Sequence, residues 1–136
     1  MRTIKFRGKD IETGKWIDGD LIQRMGYMPS IMFPYKSNDK IRYGECAVNR
    51  ETVGQLTGLI DKNGNEIYEG DILANENKPN KCIVEWNRHL AQFQGTWNNM
   101  HITAADIYSM VLLDYKVVGN IHDNPELLKG GNNDNA

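Results

Sequence analysis

Thr52-Val-Gly-Gln-Leu-Thr-Gly-Leu-Ile-Asp-Lys-Asn-Gly-Asn-Glu-Ile-Tyr-Glu-Gly-Asp-Ile-Leu73 holds two short apolar runs flanking Asp61-Lys62-Asn63-Gly64, and a third that opens after Gly70-Asp71. The pattern predicts strand, tight turn, strand, turn, strand. Asn-Gly between β-compatible runs is a hairpin signal, because both residues tolerate positive φ. At Glu69-Gly70-Asp71, glycine supplies the positive φ and aspartate is placed to bond the backbone ahead.

Upstream, Ile4 and Phe6 alternate with Lys5 and Arg7, the pattern of a half-buried strand. Glu12-Thr13-Gly14-Lys15 reads as a turn, Trp16-Ile17 as the start of a second strand, and Gly19-Asp20 as another turn. Gly8, Gly14, Gly19 and Asp20 thus echo Gly58, Gly64, Gly70 and Asp71, with one residue of slip before the Gly-Asp pair. The echo fits a structural repeat and fits chance equally, since Gly and Asp recur in turns of every kind. The segment from Met25 to Tyr35 is apolar but broken by Pro29 and Pro34, which predicts an edge strand or a loop. Exposed there, Tyr27, Met28, Ile31, Met32, Phe33 and Tyr35 would make a surface for a second copy or another partner. Turned inward, they would pack on their own core. Ser37-Asn38-Asp39-Lys40 is a turn and Ile41 to Val48 a strand.

Downstream, Cys82, Val84 and Trp86 share one face of a strand, and Gln92-Phe93-Gln94 can return beside it, ending at Gly95. Thr103-Ala104-Ala105-Asp106 resembles a helix start with Thr103 as cap, followed by Ile107, Met110 and Val111 on one helical face. Asn124-Pro125-Glu126 opens a second short helix, with Leu127 and Leu128 against the core. The expected fold is mainly β: an antiparallel small barrel or a sandwich of curved sheets, with one or two short helices.

At 136 residues, 40% hydrophobic and 25% charged, the chain is expected to form a single domain over 1–128, with a Gly- and Asn-rich disordered tail over 129–136. A net charge of -2 gives no general grip on phosphate backbones. The two cysteines, Cys46 and Cys82, lie far apart and outside any Cys-x-x-Cys, so zinc and redox motifs are missing. Residues 1–7 are charged and give no signal peptide, and no apolar run reaches the length of a membrane span. The expected setting is the cytoplasm, with reduced thiols and no membrane contact.

The quoted stretch is similar to the signature of the YopX family. So are Arg2-Thr-Ile-Lys-Phe-Arg7 and Val118-Gly-Asn-Ile-His-Asp-Asn-Pro-Glu-Leu-Leu128, in the family's order. The resemblance implies a small β-rich protein of bacterial phages, prophages and mobile elements that forms homo-oligomers. It brings no catalytic residues. Residues 23–50 and 87–110 fall outside the three blocks that carry the resemblance.

Asp61-Lys62-Asn63-Gly64-Asn65 begins like an EF-hand loop, but its glycine falls at position 4 and Ile72 stands where a glutamate is required. His89, His101 and His122 have no partner at ligand spacing. An enzyme would need two of them to meet carboxylates in a cleft, and no cofactor is called for. Glu66, Glu69 and Asp71 beside Tyr68 could line a groove or simply solvate a sheet edge. Arg7, Lys9, Lys15 and Trp16 make the N-terminal hairpin basic and aromatic, as a holder of single-stranded nucleic acid would be. The same charges also blunt an edge strand. The leading expectation is a non-enzymatic, self-assembling interaction module that contacts its own copies and other phage or host proteins. The alternative is a small-barrel nucleic-acid binder using that hairpin.

Overall fold

The computed structural model describes residues 1–97 and 104–129, and the chain divides into two compact units, Met1–Leu56 and Thr57–Ala136. In the first unit, β1 (Phe6–Lys9) pairs antiparallel with β2 (Trp16–Ile22), from Phe6/Gly19 to Lys9/Trp16. β3 (Ser30–Ser37) and β4 (Lys40–Ala47) pair along all eight residues. β5 (Gly54–Ile60) joins the free side of β1 after a 3₁₀ turn at Arg50–Thr52. The spatial order is β4-β3-β2-β1-β5. Ile31 and Val48 are fully buried here, and Thr52 Oγ1 accepts from Lys9 N at 2.8 Å.

Two expectations change in this unit, and a third is sharpened. The proline-broken segment is not an edge: β3 lies between β2 and β4. Pro29 precedes β3, and Pro34 is accommodated because the β2–β3 ladder stops short of it. The β2–β3 ladder covers only Asp20/Met32 to Ile22/Ser30, so Pro34 pairs with Tyr43 alone and its missing N–H faces no strand. Gly19 is not a turn residue. It sits inside β2, where a Cβ would collide with the Met32 carbonyl oxygen and crowd Ile31. It is a glycine for close strand approach, so the echo with Gly70 fails, while Gly14 and Gly64 do both occupy turns. Finally, the two-residue hairpin turn with both central φ values positive is Asn38-Asp39, at 51° and 62°, the type I′ form that matches strand twist.

Asn63-Gly64 makes a different turn. Gly64 alone has positive φ, its N–H donates to Asp61 O at 3.0 Å, and Asp61 N donates to Asn65 O at 2.9 Å. This is a type I turn closed by a left-handed glycine. It leads the end of β5 into β6 (Glu66–Tyr68), and Gly70, at φ 93°, turns β6 into β7 (Asp71–Ala74) as expected. Asp71 is buried, but its Oδ2 accepts from Tyr68 N at 2.7 Å, so it bonds the backbone behind it.

The second unit's sheet has the order β10-β9-β8-β7-β11, built from β7, β8 (Cys82–Asn87), β9 (Gln92–Trp97), β10 (Ala104–Asp106) and β11 (Lys116–Asn120). β10 replaces the expected helix start. Asp106 is the actual cap, its Oδ1 accepting from Ser109 N at 2.8 Å, and α1 (Ile107–Leu112) follows; Thr103 lies outside the described residues. α1 turns Ile107 and Met110 into a core with Ile67, Leu73, Cys82, Val84 and Tyr115, and Trp97 meets Tyr115 edge-on at 5.7 Å. α2 (Glu126–Lys129) leaves Leu127 and Leu128 only half-buried. Asn124 does not cap it by side chain; its Oδ1 turns back to accept from Asn120 N. Of the expected tail over 129–136, Lys129 ends α2 and residues 130–136 lie outside the described residues. The mainly β, antiparallel reading holds, with two open sheets in place of a closed barrel among the described residues.

The Asp61 carboxylate ties this unit together. It is 3% exposed, and Oδ1 accepts from Asn63 N and Asn65 N, both at 2.9 Å. Oδ2 accepts from Val117 N at 3.0 Å and Asn65 Nδ2 at 3.3 Å. Burial pushes this carboxyl up, but hydrogen bonds from Val117, Asn65 and Asn63 outweigh it, and the group ends below the usual carboxylate range. Its stabilising effect is therefore complete above the ordinary carboxylate pKa and is lost as pH falls through the lowered folded value. Asp61→Asn turns an amide N–H₂ toward existing donors. We expect a loss of about 2–3 kcal/mol in urea unfolding at pH 7. The gap to the unsubstituted chain should narrow as pH falls below the ordinary carboxylate range, so a gap that is flat with pH contradicts this account.

Candidate functional site

Between β2 and β3 the chain forms a loop whose apolar side chains point outward while its backbone is tied down. Gly26 has φ 81°, and Tyr27 N donates to Arg24 O at 3.1 Å, closing the turn. The Arg24 guanidinium reaches β4, with Nη1 2.6 Å from Glu45 Oε2 and Nη2 3.4 Å from Oε1. Arg50, in the 3₁₀ turn, donates from Nη2 to Tyr27 O at 3.3 Å. On this frame Met25 is 98% exposed, Tyr27 70% and Met28 45%. Gln23, Arg24, Met25, Tyr27, Pro29 and Arg50 line a shallow hollow of about 270 Å³. The Arg24 hydrogen bond, then one from Ser30, holds the Glu45 carboxyl below the usual range, and Glu45 raises Arg24 in return.

The six residues expected to form a partner surface therefore divide. Tyr27, Met28 and Tyr35 are exposed, Met32 and Phe33 are half-buried, and Ile31 is fully buried beneath Gly19. Ile31 cannot reach a partner, because strand alternation turns it into the unit's interior. Phe33 lies over Gly44, where a Cβ would meet the ring at 2.8 Å. Met25 opens the same apolar segment but was not among the six, and its place in a turn beside Gly26 leaves it the most exposed of the loop's apolar side chains.

The basic hairpin does assemble. Lys9 pairs with Trp16 across β1–β2, the Arg7 guanidinium carbon stands 4.6 Å from the Trp16 ring centroid, and Lys9 Nζ stands 5.5 Å from it. The protein's own cations thus occupy the ring that a base would stack on. Asp18 follows Trp16 on the same face and pairs with Lys5 at 3.3 Å, which puts negative charge along the strip. Lys15 is exposed in the adjoining turn, outside the stack.

The remaining candidates are structural. The four donors on Asp61 leave no EF-hand geometry, and Asp71 with Tyr68 is buried, so no acidic groove forms there. His89 is exposed in the β8–β9 loop, His122 follows β11 with its N–H on Asn120 Oδ1, and His101 lies outside the described residues. Among the described residues no three His, Cys, Asp or Glu are grouped to hold a metal ion. Cys46 borders a hollow of about 170 Å³ with Asp10, Glu12 and Glu45. Burial, then the charge of Asp10, raises its thiol pKa, which makes it a poor nucleophile. Burial pushes Cys82 up to about 12. No helix among the described residues is long and apolar enough to cross a membrane.

A family model described as YopX protein matches residues 5–129. No curated protein matches the chain. Among solved structures, the chain is similar to the crystal structure of protein EF1440 from Enterococcus faecalis, at 23% identity and a TM-score of 0.57. The match covers 95% of this chain and 100% of that one, and it bears on the fold alone.

The tethered loop makes a specific prediction. Arg24→Ala should leave the melting temperature within a degree or two, because the ion pair is exposed and solvent-screened. It should, however, speed chymotryptic cleavage at Tyr27 several-fold by freeing the backbone. Unchanged cleavage would mean that the Arg24–Glu45 contact does not fix the loop.

Proposed function

The chain belongs to the YopX family, and from that premise we propose that it is a non-enzymatic interaction module of phage or prophage type that assembles with copies of itself in the cytoplasm of a bacterial host. The observation that carries this reading is the β2–β3 loop. Met25, Tyr27 and Met28 project from a backbone that two arginines hold in place, so little ordering entropy stands against their burial in an interface. Methionine and tyrosine are enriched at interface centres, where they supply contact area with few rigid constraints on the partner. Tyr35 adds a further exposed aromatic on the neighbouring strand.

A second reading, contact with nucleic acid through Arg7, Lys9, Lys15 and Trp16, draws on the cluster around the Trp16 ring. Against it stand Asp18 on the same face and the chain's net charge of -2. Salt-dependent binding of single-stranded DNA or RNA would favour it over the first reading.

Light scattering at micromolar concentration should find a homo-oligomer. Tyr27→Asp together with Met25→Asp should weaken its association by about tenfold or more, while circular dichroism shows the protomer still folded. A wild-type chain that stays monomeric under these conditions removes the self-assembly reading.

A further inference from the structure

We propose that the outer edge of β4 captures an extended peptide whose side chains alternate acidic and apolar. This rests on the reading of the chain as a protein-interaction module, but it uses the backbone edge of β4 and not the side chains of the β2–β3 loop, which Arg24 ties to Glu45. β4 is the terminal strand of the first unit's sheet, and no strand among the described residues pairs with its outer side. The two-residue turn makes Ser37/Lys40 a hydrogen-bonded pair, so every second residue of β4 bonds β3. Val48 N donating to Pro29 O falls in the same phase. The amide groups of Ile41, Tyr43, Glu45 and Ala47 consequently point outward. Ala47 O already accepts from Ile11 N at 3.1 Å, which leaves Ile41, Tyr43 and Glu45 as the open ladder.

Side chains set the chemistry of the guest. Lys40 and Arg42 are exposed on one face, and neither makes an ion pair among the described residues. Ile41 and Tyr43 are exposed on the other face. A strand added here would place alternate residues beside Lys40 and Arg42, and the intervening ones beside Ile41 and Tyr43. Acidic residues suit the first set and apolar residues the second, the arrangement of strand addition to a sheet edge. A second β4 is the wrong guest. Laid antiparallel, it would gather Lys40 and Arg42 of both copies on one face, the charge device that keeps edges from pairing with themselves.

The test uses the full chain and a fluorescein-labelled peptide of alternating glutamate and valine, read by anisotropy. Binding is expected below about 1 mM. N-methylation of alternate peptide amides should abolish it, because the ladder bonds are lost. Lys40→Glu with Arg42→Glu, two surface changes, should weaken it by about tenfold and transfer preference to a lysine–valine peptide. The proposal is overturned if the N-methylated peptide binds as well, if the double variant binds unchanged, if no binding appears, or if single-stranded DNA competes at lower concentration than the peptide does. A chain that is monomeric by light scattering yet binds the peptide would sink self-assembly and leave this edge standing. An oligomer that ignores the peptide would do the reverse.

Discussion

A buried carboxylate organises the second unit. Asp61 lies at the end of one hairpin strand, and its two oxygens accept from Asn63, Asn65 and, 56 residues away, Val117. Taking a charge out of water is costly unless donors replace the lost hydration, and here four N–H groups do so. The constraint is mutual. The turn must close tightly to present two amides, and β11 must arrive in register to present the third. Asp71 repeats the device over a shorter span by accepting from Tyr68 N. The apolar core of Ile67, Leu73, Val84, Ile107 and Met110 supplies the larger share of stabilisation, each buried side chain contributing about 1.5–3 kcal/mol. That packing is non-directional, whereas the aspartates decide which strands it joins.

The first unit is built on a different economy of contacts. Its glycines allow close approach, at Gly19 against Met32 and at Gly44 beneath Phe33, and its polar side chains tie loops to strands. The result is a sheet whose interior is settled and whose periphery stays chemically open. Arg24 and Arg50 spend their hydrogen bonds on holding backbone, so Met25, Tyr27 and Met28 are presented outward. Rigid presentation of apolar side chains suits binding, because the entropy of ordering the loop is already lost in the free protein.

Much of this was legible in the residues. Period-two alternation at Cys82, Val84 and Trp86 located β8, and helical spacing at Ile107, Met110 and Val111 located α1. Glycine located the turns at 14, 64 and 70. The misreadings share a cause. Gly19 looks like a turn glycine because sequence cannot tell whether a glycine's positive φ, here 156°, serves a turn or a strand pressed against its neighbour. Pro34 looks like an edge marker because sequence cannot say where the neighbouring strand stops. Ile31 and Tyr27 look equally apolar, yet one is core and the other surface, a distinction made by which face of β3 meets the interior.

By itself the sequence determined a mainly β chain with glycine-centred turns and short helices, because backbone sterics and side-chain period act locally. The family signature is also carried by contiguous residues. Only the tertiary structure decided that Asp61 reaches Val117, that β4 rather than β3 is the edge, and that Arg7 and Lys9 cover Trp16. These are contacts between segments that approach each other only after the chain has folded, and no local preference encodes them.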